Sequence, residues 1–243
     1  MCPVQYKAME EGKVQIILPC VDKMYELTAS KIIALGLNYQ DHIDETGTQK
    51  PLEPILFSKT PNVLIGTGKD IVIPAFLHEY GFKNVTVHYE AELAVIVGAR
   101  ASKVPESEAI KYILGYTCFN DVSQRNFQFS DRSGWFRGKS LDTFGPIGPR
   151  IVPSEQLPDP HNLEIECRLN GEIVQKSNTS EMIFRIPEII AFISKQITLE
   201  PGDIIATGTP GGVGPLSDGD TVEVEIQHIG ILRNRVKDMS IQS

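Results

Sequence analysis

Two glutamates, Glu90 and Glu92, stand two residues apart inside the apolar, β-branched run 85–98. Side chains at i and i+2 of a strand share a face, so both carboxylates are directed at one place. Such a pair repels itself unless a shared proton or a positive group lies between the two. A hard divalent cation, Mg2+ or Mn2+, meets that demand, since it takes oxygen ligands and leaves positions open for a substrate. The competing reading is a half-exposed strand with two solvated glutamates. On this stretch alone, that reading stands slightly ahead.

Other candidates lie elsewhere in the chain. His42 and Glu45 are spaced i, i+3 in a stretch (37–47) that reads as a short helix, so they share a face. Such a pair can act as a general base with its orienting partner, although a solvated surface histidine accounts for it better when taken alone. Asp121 ends an expected strand and is by default a turn residue. Lys139, in Arg-Gly-Lys-Ser, is by default a surface lysine, but aromatic residues before it and turn residues after it suggest the edge of a pocket. The glycine-rich stretch Thr207-Gly-Thr-Pro-Gly-Gly-Val-Gly214 lacks the Gly-Lys-Ser/Thr of a nucleotide loop, and no helix pattern follows it. It reads equally as a structural turn or as a tight loop that holds a carboxylate through hydroxyls and backbone N–H groups. There is no G-x-S-x-G elbow. A zinc site is disfavoured because every proposed ligand is an oxygen.

The elements that must position these groups are mostly short strands. Residues 1–28 read as a small antiparallel extension, with strands beginning at Val14 and at Met24. The main domain, 29–243, opens with the buried run 30–36. Strands follow at 55–59 (ending on a lysine), 70–74, 85–98 and 116–121. A helix is expected over 104–115, with Pro105 in its first turn and Gly115 at its end. Residues 123–133 read as a helix or loop, 144–149 as a turn-rich connector and 150–152 as a strand. Asn170-Gly171 is the strongest hairpin signal, and 186–195 reads as a buried helix. Strands at 221–226 and 230–236 complete an α+β, β-rich domain.

Composition narrows the function classes. The 243 residues carry a net charge of −8 and 41% apolar side chains. This argues against nucleic acid or an anionic membrane as the main partner and leaves room for a small anionic substrate. No apolar run approaches the length of a membrane span, and no signal-peptide core stands at the N-terminus. The four cysteines are scattered, with no C-x-x-C pair. Together these features lead us to expect a cytoplasmic protein with free thiols.

Six separated blocks, in order, carry a resemblance. They are Gly36-Leu-Asn-Tyr-Gln-Asp-His42, Tyr89-Glu-Ala-Glu92, the stretch from Gly115 to Asp121, Arg137-Gly-Lys-Ser140 with Phe144-Gly-Pro, Ser180-Glu-Met-Ile-Phe184, and Gly202-Asp-Ile-Ile-Ala-Thr-Gly-Thr-Pro210. The chain resembles the fumarylacetoacetate hydrolase family, in its small single-domain branch of acylpyruvases and oxaloacetate decarboxylases. The resemblance implies a mixed β-roll fold, a homodimer, and Mg2+ or Mn2+ held by Glu90, Glu92 and Asp121. It also implies an active-site lysine at Lys139, a carboxylate-holding threonine at Thr209, polar pocket residues at Arg125 and Gln128, and a His42–Glu45 dyad on a lid. The larger N-terminal domain of the classical enzymes is not matched, and the loop 130–134 matches no substrate contact.

The chemistry implied is that of a short 2-oxo or 2,4-dioxo acid chelated by the metal and passing through a metal-bound enolate. Acylpyruvate hydrolysis, oxaloacetate decarboxylation and tautomerisation share that intermediate. A hydroxyheptadienedioate isomerase or a 2-oxo-alkenoate hydratase is the alternative. A vestigial, non-catalytic binder should lack one of Glu90, Glu92, Asp121 or Lys139, and none is missing.

Overall fold

A computed structural model describes residues 16–130, 132, 134–157 and 159–241. Val14, where the first expected strand begins, lies outside them, as does Cys2. Within them, Ile16–Cys20 and Lys23–Leu27 pair antiparallel as expected. Cys20 also pairs with Ile151, so this hairpin continues the main sheet.

Among the described residues that main sheet has nine strands. Its path runs Lys23–Leu27, Ile16–Cys20, Gly145–Pro153, Ile113–Asn120, Ala91–Val97, Ile204–Ala206, Ile32–Gly36 and Ile55–Lys59, with Leu64–Ile65 branching from Gly145–Pro153. Three short strands, Ser123–Gln124, Val87–Tyr89 and Gly214–Pro215, form a second sheet. The third contains Glu172–Asn178, Glu164–Leu169, Thr221–Ile226, Gly230–Asp238 and Asp70–Ile73. The α-helices are Gln40–Thr46, Arg125–Ser130, Phe136–Lys139 and Ile186–Gln196.

The strand Ala91–Val97 is buried on both faces. Leu93, Val95 and Val97 join one apolar cluster, and Ala94 and Ile96 join the other. The second cluster also takes Ile32, Ala34, Phe57, Phe119 and Ala206 from neighbouring strands. With a side-chain period of two, Glu92, Lys59 and Asp121 continue the rows of Ala94, Phe57 and Phe119. A polar group thus caps one end of an apolar row.

The main sheet is curled. Lys59 lies four strands from Ile113–Asn120 along the sheet, a separation of roughly 19 Å were it flat. Yet the Lys59 Nζ lies 2.6 Å from the Asp121 side chain, just beyond that strand. Only a rolled sheet allows this.

Three local expectations are corrected. The run 85–98 is not one strand: it breaks at Glu90 into Val87–Tyr89 and Ala91–Val97, which belong to different sheets. The expected helix over 104–115 is a 3-10 helix at Glu106–Tyr112, and Gly115 sits inside the strand Ile113–Asn120. A Cβ on Gly115 would lie 2.3 Å from the Val152 carbonyl oxygen, so this glycine serves a close backbone approach rather than a helix stop. Residues 145–153 form a single strand rather than a connector, with an irregular register between Gly148 and Val152 that accommodates its prolines.

Candidate metal centre

Antiparallel register brings the carboxylates together. Ala91 pairs with Asn120, so Glu90, just before one strand, lies beside Asp121, just after the other. The Asp121 N–H donates to the Glu90 carbonyl at 2.9 Å, and Asn120 Oδ1 accepts the Glu90 N–H at 3.0 Å. Carboxylate oxygens of Glu90, Glu92 and Asp121 all lie within 4.8 Å of one another. Glu90 is 7% exposed, Glu92 1% and Asp121 0%, so the alternative of solvated glutamates does not hold.

Three cations surround this group. The Lys139 Nζ donates to Glu90 Oε2 at 2.7 Å and to Asp121 Oδ2 at 2.6 Å. The Lys59 Nζ donates to Asp121 Oδ1 at 2.6 Å and to the Val122 carbonyl at 3.2 Å. Arg125 spans Glu90 Oε1 and Gln128 Oε1, both at 2.6 Å. The Lys139 Nζ also lies 4.8 Å from the centre of the Phe57 ring, which makes a T-shaped contact with Trp135. A Cβ on Gly36 would fall 2.8 Å from that indole, so the glycine makes room for it.

Glu92 is treated differently. Among the described residues its one hydrogen bond comes from the Gly208 N–H, at 2.9 Å, and no cation touches it. Burial raises its pKa well above the carboxylate range, and the charges of Asp121 and Glu90 reinforce the rise. Burial also acts to raise Glu90, but Lys139 and Arg125 outweigh it and hold that carboxyl well below its usual range. For Lys139, burial is overcome by Asp121 and Glu90, so its pKa is raised and it stays charged. Lys59 is lowered because burial exceeds the pull of Asp121.

The buried oxygens are hard donors, and Glu92 lacks a counter-charge. A hard divalent cation fits both facts. The residues that would hold it are Glu90, Glu92 and Asp121.

Of the other sequence candidates, Arg125 and Lys139 contact the carboxylates directly. Gln128 is buried on the helix Arg125–Ser130, fixed through Arg125. Thr209 is 7% exposed and follows Gly208 on the glycine-rich loop. His42 and Glu45 are neighbours on the helix Gln40–Thr46, with Nδ1 and Oε2 3.7 Å apart, too far for a hydrogen bond. Instead, Glu45 Oε2 accepts the Gly212 N–H at 2.9 Å, while the buried His42 Nδ1 has no hydrogen-bond partner among the described residues. The glycine-rich loop therefore donates to Glu92 at one end and to Glu45 at the other.

Two residues at this centre were not among the sequence candidates. Lys59 was legible only as the last residue of a strand, although its i, i+2 relation to Phe57 signals an inward-facing lysine. Gln175, in the strand Glu172–Asn178, bonds both the Ala91 N–H and Thr209. Nothing in its local sequence marks it.

Comparison with known proteins places the chain in a family. Residues 31–237 match the fumarylacetoacetate (FAA) hydrolase C-terminal family. The oxaloacetate tautomerase Fahd2a, mitochondrial, of Rattus norvegicus is 41% identical over 213 residues, covering 85% of this chain and 66% of the rat protein. The structure of 2-hydroxyhepta-2,4-diene-1,7-dioate isomerase from Mycobacterium marinum is 39% identical, with a TM-score of 0.78 over 92% of this chain and 78% of that one. Fumarylpyruvate hydrolase from Pseudomonas aeruginosa, solved in complex with Mn2+ and pyruvate, is 27% identical, with a TM-score of 0.82 over 96% and 99% of the two chains. These matches span nearly the whole of the rolled sheet and its polar mouth, and the chain belongs to the fumarylacetoacetate hydrolase family.

Proposed function

We propose that this protein is a divalent-cation-dependent enzyme acting on short 2-oxo dicarboxylates through an enolate, with oxaloacetate tautomerisation as its leading reaction. The observation that carries this reading is the charge balance of the buried centre. Three carboxylates face Lys59, Lys139 and Arg125, so the protein groups are neutral together when all are ionised. A divalent cation on Glu90, Glu92 and Asp121 would leave two positive charges, the charge complement of a dicarboxylate. That cation supplies Lewis-acid polarisation of the 2-oxo group.

The chain's own groups have distinct parts. Lys139, kept protonated by Asp121 and Glu90, presents positive charge where the enolate oxygen develops. Thr209 and Arg125 hold substrate carboxylate groups, and Gln128 fixes the Arg125 guanidinium. His42, whose Nδ1 has no hydrogen-bond partner among the described residues, takes the proton from C3. The C–H electron pair forms the C2–C3 double bond as the carbonyl π pair moves onto the 2-oxo oxygen, and return of the proton to that oxygen gives the enol. Loss of CO2 from oxaloacetate would instead place the C3–C4 electron pair in the enolate of pyruvate, with the same charge developing on the 2-oxo oxygen. Hydrolysis of an acylpyruvate needs one step more, attack of water on the C4 carbonyl, for which His42 must be re-aimed by Glu45.

A second reading is the dienedioate isomerase, favoured by the 39% identity to the Mycobacterium marinum protein. It uses the same proton shuttle on a longer dicarboxylate.

Oxaloacetate enol formation, pyruvate release from oxaloacetate and from acetylpyruvate, and dienedioate isomerisation are measured side by side. Each is run with Mg2+, Mn2+ or EDTA, against a blank holding metal without protein. Metal-dependent oxaloacetate tautomerisation that falls at least a hundredfold in both Glu90→Ala and His42→Ala is expected. Turnover of the dienedioate alone moves the second reading to the front, and no metal-dependent turnover of any substrate overturns both.

A further inference from the structure

Gln175 joins the carboxylate pair to the threonine loop. It lies in the strand Glu172–Asn178 of the five-stranded sheet and is 1% exposed. Its Oε1 accepts the N–H of Ala91, the residue between Glu90 and Glu92, at 3.0 Å. Its Nε2 donates to Thr209 Oγ1 and to the Pro210 carbonyl, both at 2.9 Å, with the Gly211 carbonyl farther off at 3.3 Å.

These backbone partners decide which way the amide points. Turned over, its NH2 would face the Ala91 N–H and its oxygen would face the Pro210 carbonyl. Two donors and two acceptors would then be opposed in a buried site, at a cost well above that of one lost hydrogen bond. The observed orientation is therefore the only satisfied one. It has a consequence for Thr209. Because Nε2 can only donate, Thr209 Oγ1 is the acceptor in that bond, and its own proton must point elsewhere. Among the described residues that proton has no acceptor. A threonine hydroxyl with no such neighbour rotates freely and can donate to a carboxylate or accept from an amide. Here the rotor is biased to donate.

We infer that Gln175 is a positioning residue that biases the Thr209 hydroxyl toward donating, so that the site favours a substrate carboxylate over its neutral amide. The inference rests on the 2-oxo acid reading above, in which Thr209 meets the substrate's carboxylate.

The test compares binding of pyruvate and of pyruvamide by calorimetry with saturating Mn2+, in the wild type and in Gln175→Glu. The new side chain has nearly the same shape, and its ionised carboxylate still accepts the Ala91 N–H. It has no proton to give, so the Thr209 hydroxyl turns to donate to it and offers its oxygen to the ligand. The wild type should prefer pyruvate at least tenfold, and Gln175→Glu should lower that ratio by about tenfold or more. In a Thr209→Val background Gln175→Glu should change the ratio little, because its effect passes through the hydroxyl. Should Gln175→Glu fail to fold, Gln175→Met carries the same comparison, since it frees the hydroxyl rotor and should lower the ratio in the same direction. A ratio unchanged in both variants, or an equal fall with and without Thr209, overturns the role of Gln175 while leaving the 2-oxo acid reading standing. A wild type that binds neither ligand overturns both.

Discussion

On the solvent face of the five-stranded sheet, Arg168 reaches both Glu166 and Glu225, and Lys176 reaches Glu166. At the mouth of the roll, Lys139 reaches Glu90 and Asp121, Lys59 reaches Asp121, and Arg125 reaches Glu90. The two networks use the same side-chain types at similar distances. They differ in what surrounds them. The Lys176 side chain is 65% exposed and that of Glu225 39%, so water already serves both ends of the surface ladder. The side chains of Lys59 and Asp121 are fully buried, so each must be satisfied by protein groups. Pairs in water contribute little, whereas breaking a buried pair leaves a charge that nothing solvates. Burial, more than the number of contacts, decides what a charge does to this molecule.

The sharpest way to break this comparison is Lys139→Met. It strips both Glu90 and Asp121 of a partner and should cost about 3–5 kcal/mol of folding stability in urea denaturation. A loss as small as that of a surface pair would mean that solvent reaches the centre.

Glu92 gives the next largest effect. Its raised pKa means that the folded chain holds a proton there that the unfolded chain has already released. Above that raised pKa the bare charge costs stability, and the cost fades as pH falls through it. A divalent cation competes with this proton, so its stabilising effect should grow with pH. With Mn2+ at about a hundredfold over its Kd, Tm should rise by roughly 5–10 °C at pH 8. The rise should be smaller at pH 6. Glu92→Gln should raise the Tm of the metal-free protein and abolish the Mn2+-induced rise. An undiminished rise in that variant would remove Glu92 from the ligand set.

The smallest effect belongs to the surface ladder. Arg168→Ala should change stability by no more than about 1 kcal/mol, and less at high salt. A larger loss would show that the aliphatic stem of Arg168 packs on the sheet in a way its charge does not reveal.

Much of the architecture is legible along the chain, because strand and hairpin signals are local. The alternation at 221–226, the Asn170-Gly171 turn and the apolar helix at 186–195 all appear in the fold. What misleads is a residue whose reason lies on another strand. Gly115 looks like a helix stop, yet it exists to admit the Val152 carbonyl. Prolines at 146 and 149 look like a connector, yet they sit in a strand with an irregular register.

The same division holds at the centre. The spacing of Glu90 and Glu92, and the position of Asp121 at a strand end, could be read directly from the chain, although the break at Glu90 could not. That Asp121 lies beside Glu90 depends on the pairing of Ala91 with Asn120, which no stretch of sequence states. Lys59 and Gln175 arrive from a distant edge strand and from a separate sheet. The sequence by itself determined which chemistry was possible, because residue type and local period are properties of the chain. The roll decided which charges are buried together and which donor faces which acceptor, because register and curl depend on strands far apart in sequence.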